Sequence, residues 1–321
     1  MSVPIAHYAA WSLDESLRHE STSGGVFTEL ALAMFHRGGI VVAAGWKSDP
    51  LRVVHKTAYS AKDLSDMRGA KYAPSDMSDA WRAIANNLKS GIPCLFVGTP
   101  CQTASIRRKF GDGNGLLCLC AIFCHSVPEL AVWSKYVNEI EVKAGKRLKS
   151  VQFRSKTNGG TWRKGMFVAE FENGGDRIVE PLAGNVYGDA FFMRLSTRAS
   201  CLKCQFKSGN SGADLMIGDF WGVEKSQPEI DDGKGVNAVL VYTEEGASLF
   251  SETRCVRNAV TYDEIVAHNH HLEESVSCDT KSRERFLGYC NTLSICDALA
   301  KIRHRPLWLR AFYKIRNMVI R

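Results

Sequence analysis

The chain has 321 residues, of which 45% are hydrophobic and 23% are charged. These are the values of a globular protein with a sizeable core, so they exclude a disordered or fibrous chain. The formal net charge of +7 at pH 7 would by itself indicate a nucleic-acid binder. However, residues 301–321 carry seven basic residues and no acidic one, so residues 1–300 are neutral. We therefore do not expect nucleic-acid binding.

The sequence predicts neither a membrane span nor a secretory signal. No run of about 18 apolar residues occurs, and residues 1–12 lack a basic segment followed by a long apolar stretch. We therefore expect a cytoplasmic protein. Thiols stay reduced in that compartment, so the 11 cysteines indicate metal ligation or redox chemistry rather than a disulfide framework.

Hydrophobic periodicity predicts an N-terminal α/β block. Its two fully apolar runs are typical of strands that are buried on both faces of a sheet. In chain order, the predicted elements are helix 25–37 ending at Gly38-Gly39, strand 40–46, helices 60–66 and 76–89, strand 93–97, a helix to Phe110, strand 116–123 and helix 129–144.

The pattern changes near residue 149. Residues 150–180 alternate apolar and polar side chains, with Asn-Gly-Gly turns at 158–160 and 173–175, which indicates antiparallel hairpins. The fold class predicted is α/β (α+β): an N-terminal α/β block with buried strands, a mixed or antiparallel sheet region, and C-terminal helices. The later predicted elements are strands 214–218 and 238–242 and helices 243–253 and 261–268.

Four cysteines have the placement of metal ligands. Cys201 and Cys204 form the one CxxC pair, which brings two thiolates onto one tight turn. Cys101 and Cys124 each follow a predicted buried strand, and ligands gather outside the carboxyl ends of strands in open α/β sheets. The four thiolates suit a structural zinc and an iron–sulfur cluster equally well. The plain alternative is a solvent-facing CxxC with two buried structural cysteines.

The other cysteines and a histidine cluster give weaker signals. Cys94, Cys118 and Cys120 lie within apolar strands, and we expect them to be small buried hydrophobic residues. The histidines at 268, 270 and 271 lie in a polar segment, which is typical of a solvated helix end rather than a metal site.

Several segments have the composition of an anion or flavin site. Residues 21–26 place two hydroxyls and two glycines before a helix, and residues 98–101 form a tight turn at a helix N-terminus. Residues 68–72 surround a glycine with two cations, and glycines flank the Asp-Phe-Trp loop at 219–221. Helix caps, a surface turn and a packed turn are the simpler interpretations. No GxGxxG or GxxxxGK[ST] motif occurs, so neither a standard dinucleotide fold nor a P-loop is predicted.

Taken together, six segments resemble the beta subunit of coenzyme F420-reducing hydrogenase and of F420-dependent dehydrogenases. The resemblance covers about residues 10–250. The segments are, in order, STSGGVF (21–27), RGAKY (68–72), GTPCQ (98–102), CHSVP (124–128), CLKCQF (201–206) and IGDFWG (217–222).

The resemblance implies an iron–sulfur flavoprotein oxidoreductase that binds FAD and one [4Fe–4S] cluster. It implies that the cluster ligands are Cys101, Cys124, Cys201 and Cys204. It identifies no catalytic residue. The cofactor-binding residues that it indicates are Ser23, Gly24, Gly25, Lys71, Tyr72, Gly98, Thr99, Gln102 and Asp219.

A flavin exchanges two electrons, commonly as hydride, whereas a cluster exchanges one. The resemblance therefore implies electron transfer between a hydride-exchanging substrate and a one-electron partner. The substrate would be the deazaflavin coenzyme F420 or another small molecule, and the partner a ferredoxin-like protein or a hydrogenase or dehydrogenase subunit. Two hypotheses stay open: a reductase or accessory protein of surface-polysaccharide biosynthesis that does not use F420, and a zinc-stabilised binding protein without catalysis.

The sequence departs from the family pattern at two places. Only 20 residues precede the 21–27 segment, so a ferredoxin-like segment with its own cysteine run is not expected, and a second cluster would lie on another protein. Ser126 stands where the family has a glycine, which predicts an altered loop beside the cluster.

We expect three regions along the chain: a beta-subunit-like N-terminal region at 1–92, a C-terminal region with the cluster cysteines at 93–285, and a basic helical tail at 286–321. After Pro306 the apolar residues fall near one helical face, with basic residues elsewhere. Such a helix lies on an anionic membrane surface, docks on a partner or packs on its own domain. The first case predicts a peripheral location at the inner face of the membrane.

Overall fold

The structure, a computed structural model, describes residues 3–48, 51–172, 174 and 177–303. Within them lie twelve strands and eleven α-helices. The strands are β1 (Ala6–Ser12), β2 (Ile40–Lys47), β3 (Arg52–Ala58), β4 (Ser75–Asp76), β5 (Cys94–Gly98), β6 (Leu117–Ile122), β7 (Leu148–Ser155), β8 (Met166–Phe171), β9 (Arg177–Pro181), β10 (Leu215–Asp219), β11 (Asn237–Val241) and β12 (Cys255–Ala259). The helices are α1 (Glu15–Glu20), α2 (Val26–His36), α3 (Ser78–Lys89), α4 (Pro100–Phe110), α5 (Leu130–Ala144), α6 (Val186–Phe192), α7 (Val223–Ser226), α8 (Glu244–Ser251), α9 (Tyr262–Val266), α10 (Thr280–Cys290) and α11 (Ile295–Arg303).

Nine strands form one mixed sheet in the order β12-β1-β11-β10-β6-β5-β2-β3-β4. Its centre is parallel, because β2 pairs with β5, β5 with β6, and β6 with β10 in the same direction. Apolar clusters cover both faces of this centre. This explains why the sequences of its strands are unbroken apolar runs. The carboxyl ends of β5, β6 and β10 therefore meet at one edge of the sheet.

A second sheet, β7-β8-β9, is antiparallel. It packs with helices α5, α6, α10 and α11 around a cluster rich in aromatic side chains, including Trp133, Phe153, Phe167, Tyr187 and Phe286. Such rings bury large apolar areas and dominate the packing of a small sheet. A bridge between Ala70 and Phe153 joins β7 to the loop that precedes β4. This contact brings β7 beside the carboxyl edge of the large sheet.

The α/β class predicted from the sequence is confirmed, and most predicted elements occur within a few residues of their expected bounds. Strands β1, β3 and β12 were not predicted, because their polar and small residues lack a clear apolar pattern. The expected helix at 60–66 is only a 3₁₀ turn, Ala61–Leu64. In addition, β10, β11 and β12 return to the sheet of the N-terminal block, which the sequence did not predict.

The structure bears on two of the expectations about membranes. None of the helices in the described part of the chain is long and apolar enough to cross a membrane. Of the predicted tail at 286–321, the structure describes residues 286–303, which include the end of α10 and all of α11. The predicted amphipathic helix after Pro306 lies outside the described residues.

Candidate cofactor site

The four predicted ligand cysteines lie on three loops at the carboxyl edge of the large sheet. Cys101 is in the first turn of α4, directly after β5, and Cys124 follows β6. Cys201 lies in a 3₁₀ turn at Ala199–Lys203, and Cys204 ends that turn. All four are free thiols; Cys101 is exposed, and the other three are partly buried.

The thiols are close enough to affect one another's ionisation. Burial raises the pKa of Cys124 to about 11, and the charges of Cys101 and Cys201 act in the same direction. Burial also raises the pKa of Cys201, again with contributions from Cys101 and Cys204. Among the described residues, no three histidine, cysteine or acidic side chains are grouped closely enough to hold a metal ion. The loops thus converge on one region without forming a finished coordination sphere.

Backbone amides point at two of the sulfurs. The N–H of Ser126 donates to Cys124, and the N–H of Val127 donates to Cys201, and each bond lowers the pKa of its thiol against the effect of burial. Hydrogen bonds of this kind to thiolate sulfurs help set the potentials of iron–sulfur clusters. Free thiols on converging loops are the type of donor that an iron–sulfur cluster takes, although they are not grouped as a finished site among the described residues.

Ser126 has a φ of 122°, a backbone conformation that favours glycine. Its hydroxyl lies 3.1 Å from the hydroxyl of Thr197, which holds the loop in place. Three more of the five non-glycine residues with positive φ in the described chain, Arg154, Arg194 and Ser208, surround the site. Strained backbone of this kind is often found at functional sites.

Two basic side chains that sequence analysis missed lie beside Cys124. Lys207 donates from Nζ to the carbonyl oxygen of Cys124 at 2.8 Å and also to that of His271. Arg194 donates from Nη1 to the carbonyl oxygen of His125 at 2.8 Å. Of the three clustered histidines, His271 packs edge-on against His125, with 5.3 Å between ring centroids.

A cleft of about 370 Å³ lies at the same edge of the sheet. It is lined by the end of α1 and the residues after it, by the loop 65–70, and by residues 150–157 of β7 and beyond. The Ala70 N–H donates to the Thr22 hydroxyl at 3.0 Å, which joins two of these walls. Its volume lies within the range of about 300–1,000 Å³ that small-molecule sites usually have.

Arg68 supplies an unsatisfied donor at this cleft. Its guanidinium pairs with Glu20, but its Nε is buried and has no hydrogen-bond partner. Buried polar atoms are nearly always paired, so an orphan in a cleft wall needs an explanation. An anionic group such as a pyrophosphate would satisfy it, and the cleft therefore fits the phosphate part of a nucleotide cofactor.

Arg154 forms the wall of the cleft nearest the sheet. It has a φ of 57°, pairs with Asp219 at the end of β10, and donates to the Trp162 carbonyl at 2.8 Å. Its guanidinium also lies 5.1 Å from the ring of Trp221. Burial lowers the pKa of Arg154, but the charge of Asp219 outweighs it, so the pKa is raised. Asp219 and Trp221 of the Asp-Phe-Trp loop thus hold the Arg154 side chain in place.

Lys156 ties β7 to the loop that precedes α2. Its Nζ donates to the carbonyl oxygens of Arg18, Ser23 and Lys234 at 2.7, 3.1 and 2.8 Å. Burial lowers the pKa of Lys156 to about 8, with a contribution from the charge of Arg18. The FRSK sequence at the end of β7 and the residue after it, with basic residues at alternate positions, is the signal that would have pointed to Arg154 and Lys156.

The predicted Ser-Gly-Gly segment supports the cleft from behind. Ser23 donates its hydroxyl to the Val236 carbonyl at 2.9 Å. A side chain at Gly24 would meet the Ala10 carbonyl at 2.6 Å, and Gly25 has a φ of 89°. These residues therefore pack against β1 and β11, whereas the preceding Ser21 and Thr22 line the cleft.

The other predicted cofactor residues also shape loops. Lys71 donates to the carbonyl oxygens of Met67, Arg68 and Gly69, and burial lowers its pKa to about 7. Thr99 and Gln102 form a capping box at the start of α4, and the Thr99 hydroxyl lies 3.1 Å from the sulfur of Cys101. None of the nine predicted cofactor residues lies among the described residues that line the cleft. They are Ser23, Gly24, Gly25, Lys71, Tyr72, Gly98, Thr99, Gln102 and Asp219.

Tyr72 links the cleft to the cysteine loops. Its ring packs on Phe153 of the cleft wall at 5.3 Å and stacks on Phe191 at 4.6 Å. Burial raises the pKa of Tyr72, and the nearby charges of Arg154 and Arg194 oppose this. Arg194 lies 5.8 Å from the ring of Phe191 and bonds to the carbonyl oxygen of His125, next to Cys124. The cleft and the thiols are therefore neighbours, separated by Tyr72 and Arg194.

Comparison with protein families gives two matches, both to the beta subunit of coenzyme F420 hydrogenase/dehydrogenase. The profile for the N-terminal part of that protein matches residues 7–82. The profile for its C-terminal part matches residues 93–264. The second match alone includes more than half of the chain.

Among solved structures, a chain of the F420-reducing [NiFe] hydrogenase complex from Methanosarcina barkeri is similar. The TM-score is 0.56 with 16% sequence identity, over 90% of this chain and 94% of that chain. At this identity the similarity shows a shared fold. A search of curated protein sequences gave no significant match.

Proposed function

The chain belongs to the coenzyme F420 hydrogenase/dehydrogenase beta subunit family, whose members are oxidoreductases, and we propose that it is an iron–sulfur flavoprotein. FAD would occupy the cleft between β7 and the loop 65–70. One [4Fe–4S] cluster would be held by the four cysteines at the carboxyl edge, Cys101, Cys124, Cys201 and Cys204.

The observation that carries this proposal is that two neighbouring sites contain polar groups with no partner within the described protein. The cysteine loops hold four free thiols, two of which accept backbone N–H bonds. The neighbouring cleft holds an arginine Nε without a partner. Tyr72 packs on Phe153 of the cleft wall, and Arg194 bonds to the carbonyl oxygen of His125 next to Cys124. Two cofactors that exchange electrons need such proximity.

When bound, FAD supplies hydride exchange and the cluster supplies one-electron transfer. The side chains of this protein would bind and orient both groups. Arg68 and the Thr22 loop would face the phosphates, while Arg154, held by Asp219 and Trp221, would form the wall toward the cysteines. The N–H groups of Ser126 and Val127 would stabilise the negatively charged sulfurs.

We propose a small hydride-exchanging substrate, with the deazaflavin coenzyme F420 as the first candidate, and a redox protein as the one-electron partner. The family match supports this, as does the fold shared with a chain of an F420-reducing hydrogenase complex.

Titration of the protein with FAD tests the cleft assignment. Arg68→Gln removes the guanidinium, and we expect FAD to bind about tenfold more weakly, because a hydrogen bond to a charged group contributes about 1.5–3 kcal/mol. Arg82→Gln is the control, because Arg82 is an exposed arginine of α3 with a single long contact of 3.9 Å to Asp79. Equal FAD affinity in all three proteins, or no FAD binding by the unaltered chain, would contradict the assignment.

A further inference from the structure

Trp46 is the last apolar residue of β2 and lines the cleft. The last pair between β2 and its neighbour β5 is Ala43 with Val97, so Trp46 lies beyond the point where β5 pairs with β2. Among the described residues, the other aromatic side chain in the cleft wall is Phe153, which is only 2% exposed, whereas Trp46 is half-buried. Trp46 is therefore the aromatic ring that the cleft offers to a ligand.

The aromatic cluster of the second sheet supports the Trp46 ring. Its centroid lies 5.5 Å from that of Trp133 and 6.4 Å from that of Phe153, with an angle of 28° between the Phe153 and Trp46 planes. Trp133 is itself buried, and its Nε1 donates to the Leu51 carbonyl at 3.1 Å. Trp46 is thus held in place by its neighbours, so little conformational entropy is lost when a planar ligand binds against it.

Polar groups of the same cleft suit the other parts of a flavin. A side chain at Gly45, next to Trp46, would lie 3.2 Å from Asp66 Oδ2, so Asp66 is a close neighbour of this end of β2. That oxygen pairs with Lys56 at 2.5 Å, and a carboxylate has further acceptor positions for a ring N–H. Arg68, two residues further on, has the Nε without a partner that suits a phosphate. The cleft therefore combines a ring surface, an acceptor and an anion-binding donor.

The neighbours of Trp46 indicate which ring of FAD lies against it. Trp46 and Tyr72 both pack on Phe153, and Tyr72 stacks in turn on Phe191, toward the cysteine loops. A ring on Trp46 is therefore on the side of the cleft from which electrons would reach the cysteines. The isoalloxazine ring of FAD exchanges electrons and the adenine does not, so the isoalloxazine ring is the one expected there.

We propose that Trp46 is the surface on which the isoalloxazine ring of the flavin stacks. The inference rests on the proposed function and names the residue that holds the reactive part of the cofactor, while Arg68 faces the phosphates. The contact involves no bond that forms or breaks. It favours binding because two flat apolar surfaces leave water together and aromatic rings attract each other when they are stacked with an offset.

Titration of the full chain, freed of bound flavin, with FAD and with FMN tests the proposal. FMN contains the isoalloxazine ring but no adenine, so it reports on that ring alone. We expect Trp46→Leu to weaken the binding of both flavins about tenfold, as is usual when an aromatic side chain is removed from a stacked ring. Trp46→Phe retains an aromatic ring, and we expect it to bind both flavins nearly as tightly as the unaltered chain.

The decay of the flavin emission distinguishes a stacked tryptophan from a general loss of affinity. An indole in contact with an excited flavin quenches its emission within picoseconds by electron transfer, whereas a benzene ring does not. We therefore expect the picosecond decay of bound FMN to be lost in Trp46→Phe. This variant keeps the aromatic packing against Phe153, so it decides the question even if Trp46→Leu does not fold.

The matched control is Trp81→Leu. Trp81 is a half-buried tryptophan of α3 that also packs on an aromatic side chain, with 6.1 Å to the ring of Phe110, and it lies outside the described lining of the cleft. We expect flavin affinity and emission decay to stay as in the unaltered chain. A loss of affinity equal to that of Trp46→Leu would show a general effect of removing a tryptophan and overturn the proposal.

The remaining outcomes separate this inference from the proposed function. If the unaltered chain binds neither FAD nor FMN, the proposed function fails and the inference fails with it. If it binds both, three results overturn the inference alone. These are weaker binding of FAD but not of FMN by Trp46→Leu, which would place the adenine on Trp46, unchanged binding of both flavins by that variant, and an unchanged emission decay in Trp46→Phe.

Discussion

The cysteine loops and the cleft lie side by side at one edge of the large sheet, but their polar groups are used differently. Around the cysteines, four thiols stay free, while the neighbouring cations Lys207 and Arg194 donate to backbone carbonyl oxygens. Around the cleft, most charged groups are satisfied by the protein, since Lys71 and Lys156 each donate to three carbonyl oxygens. Arg68 Nε is the exception.

The difference follows from the chemistry of the two kinds of ligand. A metal cluster is bound covalently by thiolates, so its ligands must remain unused by the protein. A nucleotide is bound mainly by shape and by a few polar contacts, so most side chains nearby serve to hold the loops in place. The predictions below test this contrast between cysteines that are left free for a metal and a cleft whose charged side chains are mostly paired within the protein.

The largest effect is expected from removing a thiol. Cys201→Ser should abolish the visible absorbance of the cluster, because a serine hydroxyl replaces one of four thiolate ligands. The control is Cys296→Ser, which alters an exposed cysteine of α11 outside the predicted ligand set. Absorbance and iron content of the anaerobically purified proteins provide the measurement. An unchanged spectrum in Cys201→Ser would remove Cys201 from the ligand set.

A large loss of stability is expected at the wall of the cleft. Arg154→Met leaves Asp219 buried without its partner, since the two side chains are only 12% and 13% exposed. We expect the free energy of unfolding to fall by about 3 kcal/mol. The double variant Arg154→Met/Asp219→Asn should recover part of this, because the unpaired charge is gone. Denaturant unfolding followed by fluorescence measures both.

Arg163→Met is the matched control for Arg154→Met. Arg163 also lies over a tryptophan, 4.4 Å from the ring of Trp162, and also pairs with acidic residues, but its side chain is 33% exposed. A pair in contact with water contributes about 0–1 kcal/mol. If Arg163→Met lowers the free energy of unfolding as much as Arg154→Met, the buried Arg154–Asp219 pair contributes no more to stability than the more exposed pair of Arg163.

The smallest effect is expected at Ser126. Ser126→Gly relieves a backbone conformation that costs about 1–3 kcal/mol in a non-glycine residue, but it also removes the contact with Thr197. We expect a net gain in stability of about 1 kcal/mol, measured by thermal unfolding. Ser90→Gly is the control, because Ser90 has a φ of −86° and should gain nothing. A destabilised Ser126→Gly would show that the Thr197 contact dominates.

The cysteines illustrate what could be predicted from the sequence. Short spacing and position after buried strands predicted one site for Cys101, Cys124, Cys201 and Cys204. Cys101 and Cys124 do follow β5 and β6, whereas the ligand set itself stays a prediction. The apolar runs of β5 and β6 likewise predicted buried strands. Cys94, Cys118 and Cys120 are buried in them, as expected.

The lining of the cleft could not be predicted in the same way. Arg154 lies in β7 of the second sheet and Lys156 directly follows it, and long-range contacts such as the bridge between Ala70 and Phe153 bring that strand to the cleft. Tertiary contacts of this kind leave no local pattern. Motif residues such as Gln102 and Asp219 have specific partners instead, which are the capping box of α4 and the pair with Arg154.

The central claim is that this chain carries a flavin next to an iron–sulfur cluster. The most direct test is the content of FAD, iron, sulfide and zinc in the full chain purified without oxygen, together with its absorbance spectrum. We predict one FAD and four iron atoms per chain, no zinc, and the overlapping spectra of a flavin and a cluster. A colourless protein with one zinc per chain and no flavin would contradict the claim.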